Sequence, residues 1–297
     1  MQLDGTQVLA LGTTGSQGSG LVHALEQQRA QPVRVTSDPA RAAAWQAAGL
    51  RSEFADLTDP DSLRAAVRSS EARAAVLHVP LGLAGPQGWA SVVAGVTVLR
   101  ELGLVVAVNI GSPVPADGAP DPRGGRDRAA ALTATGAVVV SPTAYLENHL
   151  SPWSAGPLAV GELPYPRPVD DVIAWITARD VTVAAVAGLA GDHGGQLFRL
   201  AGPQPLSFAD LAEELGAGLG RRLVFREVSA QEYGDMLRPF IAEEAADAVA
   251  GMYGSMPRTP DPSLSPDAGD VWRRLGVTPT PARRWAADVL APFLAAV

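Results

Sequence analysis

Short apolar runs alternate with segments of helical periodicity over the first half of the chain. The runs end at glycine, proline or polar residues, and they predict strands that are buried on both faces of a sheet. They occupy residues 8–11, 33–36, 74–79, 104–110 and 137–140. The segments predicted as helices occupy residues 20–29, 39–48, 60–67 and 89–102, with a further one that ends at Gly136. Strands that alternate with helices in this way predict a parallel sheet with helices on both faces.

The pattern changes after residue 150, where prolines cluster between Pro152 and Pro168. Further on, a helix is predicted over 180–189, and residues 196–200 are predicted as a strand that returns to the sheet. Ser207 and Ser229 each precede an acidic residue by three positions, a capping pattern that predicts two helix starts. We expect a first domain of residues 1–150 with about 171–202, and a smaller α+β domain of 151–170 with 203–297 that covers the sheet's carboxyl edge.

Three glycines, Gly12, Gly15 and Gly18, stand where the first predicted strand turns into the first predicted helix. In the dinucleotide-binding turn of a Rossmann sheet, one glycine permits the tight turn, one lets the backbone approach a diphosphate, and one lets helix and strand pack closely. Chance produces this spacing easily in a chain with 31 glycines, so its position after a buried strand carries the prediction. The alternative is a structural turn. The predicted cofactor contacts are Gly12, Thr13, Thr14, Gly15, Ser16, Gln17 and Gly18.

The end of the second predicted strand favours NADP over NAD, although NAD stays possible. NAD-binding sites usually place an acidic residue there, but Thr36 and Ser37 occupy the expected position, and Arg41 supplies a cation nearby. Asp38 lies one position further and precedes Pro39, which favours a helix cap. Further along the chain, Asp56 and Leu57 are candidates for the adenine edge, with a plain surface residue as the alternative for Asp56.

Composition excludes several kinds of chemistry. The chain has no cysteine and no lysine, so thiol catalysis, Schiff bases and a Tyr-x-x-x-Lys proton relay are ruled out. A net charge of −8 without a basic run argues against nucleic acid as a partner. No apolar stretch is long enough for a membrane span, no secretory signal is visible, and no acidic or histidine residues have metal-ligand spacing. We therefore expect a cytoplasmic protein without a metal.

The order of features resembles that of the NmrA-like family of atypical short-chain dehydrogenases/reductases. The matching pieces are residues 8–25, 37–41, 55–59, 141–148, 175–176 with 179–180, 201–203 and 219–221. The resemblance spans about residues 6 to 294 and implies an NADP-binding, doubly wound Rossmann domain with a small C-terminal substrate or partner domain. Many members carry an arginine at the position of Ser37. Reductase-like members often carry a lysine that would fall near Gly125, where Arg126 or Arg128 supplies charge but no easily lost proton.

Loops at the carboxyl edge of the sheet should meet the nicotinamide. His78 and Tyr145 are the candidate catalytic residues, the first as a proton donor and the second as a hydrogen-bond partner of a substrate carbonyl. The alternatives are a core histidine and a tyrosine that, with Asn148, fixes the crossing into the small domain. His149, beside Asn148, could titrate near neutrality. Further predicted cofactor contacts are His78, Val79, Pro80, Asn109, Ile110, Gly111, Pro142, Thr143, Tyr145 and Asn148.

Three functions fit these features. The first is an NADPH-dependent reductase of a small, flat, apolar or aromatic acceptor such as an enone or quinone, and the absence of lysine makes its enzymatic role uncertain. The second is a non-catalytic regulator that senses NADP(H), and the third is a non-redox isomerase or cyclase. The oligomeric state stays open. Five residues either line a pocket for an aromatic substrate or form the core of the small domain, namely Trp153, Trp175, Met236, Phe240 and Tyr253.

Overall fold

The structure, a computed structural model, describes residues 1–15, 17–83, 85–121, 124–256, 258 and 261–296. The chain divides into two units, which interleave along the sequence. Unit 1 comprises Met1–Pro142, Ala178–Leu200 and Ala268–Thr278, and unit 2 comprises Thr143–Thr177, Ala201–Asp267 and Pro279–Val297. The boundaries expected from the sequence differ from this division at residues 143–150, 171–177, 201–202 and 268–278.

The strands are short, from two to six residues long. They are β1 (Gln7–Leu11), β2 (Gln31–Thr36), β3 (Ser52–Phe54), β4 (Ala74–His78), β5 (Val105–Asn109), β6 (Val138–Pro142), β7 (Glu162–Tyr165), β8 (Val172–Ile173), β9 (Leu197–Leu200), β10 (Leu206–Ser207) and β11 (Val224–Glu227). In unit 1 the order is β3-β2-β1-β4-β5-β6-β9, and every neighbouring pair is parallel. The predicted doubly wound Rossmann sheet is therefore confirmed.

The helices of unit 1 are α1 (Leu21–Gln27), α2 (Pro39–Ala47), α3 (Pro60–Ser70), α4 (Pro86–Glu101), α5 (Gly125–Ala134), α7 (Ala178–Ala190) and α11 (Gly269–Leu275). Those of unit 2 are α6 (Pro152–Ala159), α8 (Phe208–Leu219), α9 (Ala230–Leu237), α10 (Glu243–Ser255), α12 (Ala282–Trp285) and α13 (Ala291–Ala296). A π-helical turn, Ala286–Leu290, joins α12 to α13. The predicted caps are confirmed, because Ser207 and Ser229 accept from main-chain N–H groups at the starts of α8 and α9.

The core of unit 1 explains why the apolar runs form central strands. β4 and β6 are buried at all five positions, as expected for parallel strands covered on both faces. Alternate strand residues such as Leu9, Leu77 and Val106 share a cluster with side chains of α3, α4 and α5. The strand order reverses between β1 and β4, so the carboxyl ends of these two strands lie side by side where doubly wound sheets bind ligands.

Unit 2 is built from two small sheets and an aromatic core. β7 pairs in parallel with β11, and β8 pairs with β10 in the antiparallel sense. The segment just after β6 belongs to this unit because the Thr143 hydroxyl donates to the Ala174 carbonyl at 2.5 Å, and Tyr145 forms a strand bridge with Ile176. The largest buried side chains of its core are Tyr165, Trp175, Phe208 and Trp285.

Candidate functional site: a glycine turn at the carboxyl edge of the sheet

The glycine turn after β1 is packed too closely to admit side chains at its two ends. Gly12 has φ of +83°, in the left-handed region that glycine adopts without strain. A Cβ atom on Gly12 would lie 2.7 Å from the His78 carbonyl oxygen, and one on Gly18 would lie 2.2 Å from the Gly12 carbonyl oxygen. Gly12 is therefore required by the contact between the turn and β4, and Gly18 by the close approach of the chain to Gly12 within the turn.

Gly15 differs from the other two. A Cβ atom there would have the Gly12 carbonyl oxygen, at 3.8 Å, as its nearest described neighbour, and the residue is exposed. The Thr13 hydroxyl oxygen is buried, with no hydrogen-bond partner in the part of the chain that the structure describes. Ser16, a predicted contact, lies outside the described residues. An open main chain beside an unpartnered hydroxyl fits the diphosphate of a dinucleotide, which accepts from both kinds of donor.

Two neighbouring elements hold the turn from the side. The Thr182 hydroxyl on α7 lies 2.8 Å from the Ala178 carbonyl oxygen and 3.2 Å from the Gln17 carbonyl oxygen, so it can donate to either. The Gln17 side chain lies against Gly111, where a Cβ atom would be 3.1 Å from its Oε1. Thr182 was not predicted from the sequence, because it lies 165 positions from its partner in the turn.

His78, at the end of β4, is part of a hydrogen-bonded chain. The Gly111 N–H donates to Asn109 Oδ1 at 2.9 Å, and Asn109 Nδ2 and His78 Nδ1 are 2.8 Å apart. Because Oδ1 already accepts, Nδ2 is assigned as the donor and Nδ1 as the acceptor, which leaves the proton of the neutral ring on Nε2. Burial lowers the pKa of His78 to about 4. The side chain is therefore a neutral donor at pH 7 and cannot supply a proton by titrating near neutrality.

The other predicted residues beside His78 have structural contacts. The Val79 N–H donates to the Asn109 carbonyl oxygen at 3.0 Å, and Ile110 is buried in the core of unit 1. Pro80 is exposed. Gly111 thus lies against Gln17 of the turn, and Asn109 lies against His78. The contacts of Val79, Pro80 and Ile110 with a cofactor stay predictions.

At the end of β2, the Asp38 side chain caps the start of α2. Asp38 Oδ1 accepts from the N–H groups of Ala40 at 2.9 Å and Arg41 at 3.2 Å, and the Arg41 guanidinium is 3.8 Å from Oδ2. The predicted cap is confirmed. Ser37 is exposed, and the Thr36 hydroxyl accepts from the Asp38 N–H at 3.2 Å. The end of β2 thus presents hydroxyl groups and a half-exposed arginine, a set that fits a ribose phosphate.

Asp56 and Leu57 are engaged in the loop before α3. Asp56 Oδ1 accepts from both the N–H and the hydroxyl of Thr58 at 2.7 Å, and its own N–H donates to the Ser62 hydroxyl. Leu57 is buried in the core of unit 1. Their predicted contact with an adenine edge stays a prediction.

The two arginines considered in place of a lysine are both occupied. Arg126 donates to the Ala116 and Ala119 carbonyl oxygens, which ties down the loop after β5. Arg128 lies over the ring of Trp89, with its guanidinium carbon 5.2 Å from the ring centroid. Both side chains therefore stabilise unit 1.

In unit 2, the candidate catalytic tyrosine and its neighbours lie in well-packed surroundings. Tyr145 is 5% exposed, whereas Asn148 is exposed and its N–H donates to the Tyr145 carbonyl oxygen. Pro142, which ends β6 in unit 1, is buried. Burial lowers the pKa of His149 to about 4. The expectation that His149 titrates near neutrality is therefore wrong, because desolvation disfavours its charged form.

The five apolar candidates do not share one environment. Trp175 packs edge-on against Tyr165 and Phe208 in the main core, and the Tyr253 hydroxyl is 2.7 Å from that of Tyr165. Trp153 and Met236 are partly buried against a smaller cluster, and Phe240 is 52% exposed. For Trp175 and Tyr253 these contacts favour the core interpretation.

The sequence profile of the NAD dependent epimerase/dehydratase family matches residues 8–101, which contain the glycine turn and β4. A curated relative, the NAD(P)H azoreductase of Xenophilus azovorans, is 26% identical over 84% of this chain and 87% of its own. Citrobacter sp. triphenylmethane reductase complexed with NADP(H) superposes with a TM-score of 0.74 at 18% identity, over 96% of this chain and 99% of that one. An NADPH-dependent quinone oxidoreductase of Escherichia coli, complexed with NADPH, gives 0.72 at 22% identity, over 96% and 100%.

At these identities the solved structures establish the fold. NmrA shares it as well. Residues 8–101 match the model of the NAD dependent epimerase/dehydratase family, and the chain shares its fold with NmrA and with NAD(P)H reductases, which agrees with the NmrA-like resemblance seen in the sequence.

The described residues contain neither a candidate membrane-spanning helix nor a candidate metal site. No helix among them combines the length and apolar character needed to cross a membrane. Within the same residues, no group of three or more histidine, cysteine, aspartate or glutamate side chains is arranged to hold a metal ion.

Proposed function

We propose that the protein is an NADPH-dependent reductase of small, flat, apolar acceptors, with quinones as the preferred class. The observation that carries the proposal is the glycine turn, which is sterically closed at Gly12 and Gly18 and open at Gly15. The turn's main chain and Thr13 hold the diphosphate, and the residues at the end of β2 hold the ribose phosphate. The bound cofactor supplies a hydride. The azoreductase, the triphenylmethane reductase and the quinone oxidoreductase support this class of reaction.

The supply of protons favours quinones over ketones. The chain has no lysine or cysteine, and burial lowers the pKa of both His78 and His149 to about 4. Burial also raises the pKa of Tyr165 and Tyr233. A hydride added to a quinone leaves a phenolate-like anion, whose conjugate acid has a pKa near ~10, so that water protonates it unaided. A ketone would leave an alkoxide about as basic as hydroxide, whose conjugate acid has a pKa of ~16, and it would need a strong donor.

The reductase prediction is tested with purified protein and NADPH by following absorbance at 340 nm. We expect enzyme-dependent oxidation of NADPH with a small naphthoquinone and none with an aromatic ketone of similar size. Gly15→Val serves as the control, because it removes the cofactor contact at an open position. Tight NADPH binding without turnover of any quinone, cationic dye or azo compound would contradict the proposal and favour an NADP(H)-sensing regulator.

The preference for NADPH is tested at Arg41. We expect Arg41→Ala to weaken NADPH binding about tenfold, because a guanidinium–phosphate contact is lost, and to leave NADH binding within about twofold. Arg29→Ala is the matched control, since Arg29 is another exposed arginine and pairs with Asp4 instead. Calorimetric titration of both cofactors measures the effect. Equal losses for NADH and NADPH would show that Arg41 does not contact the 2′-phosphate.

A further inference from the structure

The imidazole of His78 lies against the glycine turn. The side chain is 3% exposed, and its Cδ2, the ring carbon bonded to Nε2, would be 3.3 Å from a Cβ atom on Gly18. The main chain of His78 meets the other end of the turn, at Gly12. The Nε2 edge of the ring is therefore next to the turn that the proposed function assigns to the diphosphate.

The ring has one nitrogen bonded and one unpartnered. Nδ1 accepts from Asn109, whose own orientation is fixed by the Gly111 N–H. Nε2 consequently carries the proton, and it is buried without an acceptor among the described residues. A buried donor without a partner destabilises a folded protein, so such groups call for an explanation. The Thr13 hydroxyl, in the same turn, is also buried and unpartnered.

A purely structural role explains only half of this arrangement. The bond between His78 and Asn109 joins the ends of β4 and β5, and it leaves the second nitrogen unused. A dianionic diphosphate brought to the turn supplies the missing acceptor, and a neutral N–H donor suits it without the cost of burying a second charge. Because the pKa of His78 is lowered to about 4, the donor keeps this form throughout the neutral range.

We propose that the Nε2–H of His78 donates a hydrogen bond to the diphosphate of bound NADPH, directly or through one water, and that Asn109 and Gly111 are positioning residues that fix the tautomer. The proposal rests on the proposed NADPH site. It assigns no proton transfer to His78, which replaces the catalytic role predicted from the sequence with a binding role.

The tautomer is tested directly by ¹⁵N-edited NMR of the histidine side chains at pH 7. We expect the free protein to show His78 as the neutral Nε2–H tautomer, and saturating NADPH to move its Nε2–H proton downfield. His23, which is exposed on α1, provides the internal control. An Nδ1–H or charged ring in the free protein would overturn the proposal, as would an unmoved Nε2–H proton once calorimetry shows that NADPH is bound. If NADPH does not bind at all, the proposed function fails with it.

Two variants separate binding from packing. His78→Gln retains an N–H donor near the position of Nε2, whereas His78→Leu removes it. We expect NADPH affinity within about threefold of wild type for His78→Gln and about tenfold weaker for His78→Leu. The order of the melting temperatures of the two variants should not match the order of their NADPH affinities. Adenosine 2′-phosphate, which lacks the diphosphate, should bind all three proteins equally. Affinity losses that follow the loss of stability, or that are as large with adenosine 2′-phosphate, would show a structural role only.

Discussion

Gly15→Val is expected to abolish NADPH binding while the protein stays folded. The valine Cβ atom enters open space, 3.8 Å from the Gly12 carbonyl oxygen, and Gly15 has no positive φ that would strain a side chain. Its methyl groups would occupy the place where a diphosphate must approach the main chain. We expect affinity to fall at least ~100-fold, which corresponds to about 3 kcal/mol. Calorimetric titration measures the loss, and the thermal midpoint should stay within about 2 °C of wild type.

Gly18→Ala provides the matched contrast within the same turn. Even one added methyl group would lie 2.2 Å from the Gly12 carbonyl oxygen and 2.9 Å from its carbon, so the main chain of the turn would have to move. We expect this variant to lose about 4 kcal/mol of stability or to fail to fold. Wild-type NADPH affinity in Gly15→Val would disprove the assignment of the turn to the diphosphate. A fully stable Gly18→Ala would disprove the close contact between Gly18 and the Gly12 carbonyl group.

Acid is expected to destabilise the protein through its two buried histidines. Burial holds the pKa of His78 and of His149 at about 4, below the ordinary 6.5 that each regains on unfolding. Between these values the unfolded chain binds more protons, so the free energy of unfolding falls as pH drops from about 6.5 to about 4, and these groups add no further loss below that. At pH 5 the loss is about 2 kcal/mol for each histidine. Urea unfolding at pH 7 and pH 5 measures it.

Single variants assign this acid sensitivity to particular rings. His149→Gln should reduce the loss between pH 7 and pH 5 by about 2 kcal/mol, whatever its effect at pH 7. His23→Gln, at an exposed position, is the matched control. If His149→Gln does not fold, NMR titration of the wild type decides the matter. Rings of His78 and His149 that titrate near pH 6.5 in the native protein would contradict the prediction.

Much of the fold follows from apolar patterning, because the central strands are buried on both faces and therefore read as continuous apolar runs. β3 is less clearly marked, since Ser52 is its only buried residue. In unit 2, α6 contains Pro157 in its interior, and a proline at such a position predicts from the sequence that no helix forms there. α10 begins without a side-chain cap and buries only Ala246 and Ala250, so neither its start nor its periodicity is visible beforehand.

The candidate site was predictable only where its residues are local in sequence. The turn and the cap at Asp38 follow from short motifs. The hydrogen bonds from Gly111 through Asn109 to His78 instead join two strands, and Asn109 and His78 are 31 positions apart in the sequence. The tautomer of His78 depends on that contact, and its unsuitability as an acid comes from burial, which lowers its pKa to about 4. Burial of His149 likewise comes from the packing of unit 2 and has no counterpart in the local pattern.

The interleaving of the two units bears on how the protein is made. The chain leaves unit 1 after Pro142 and returns to it at Ala178, and again at Ala268. Since β9 lies at the edge of the large sheet next to β6, that sheet is incomplete on the ribosome until residue 200 has emerged. Synthesis at ~5–20 residues per second therefore leaves the edge of β6 that pairs with β9 exposed for several seconds. Fragments cut near residue 150 would leave this edge unpaired permanently, and they should aggregate where the full chain does not.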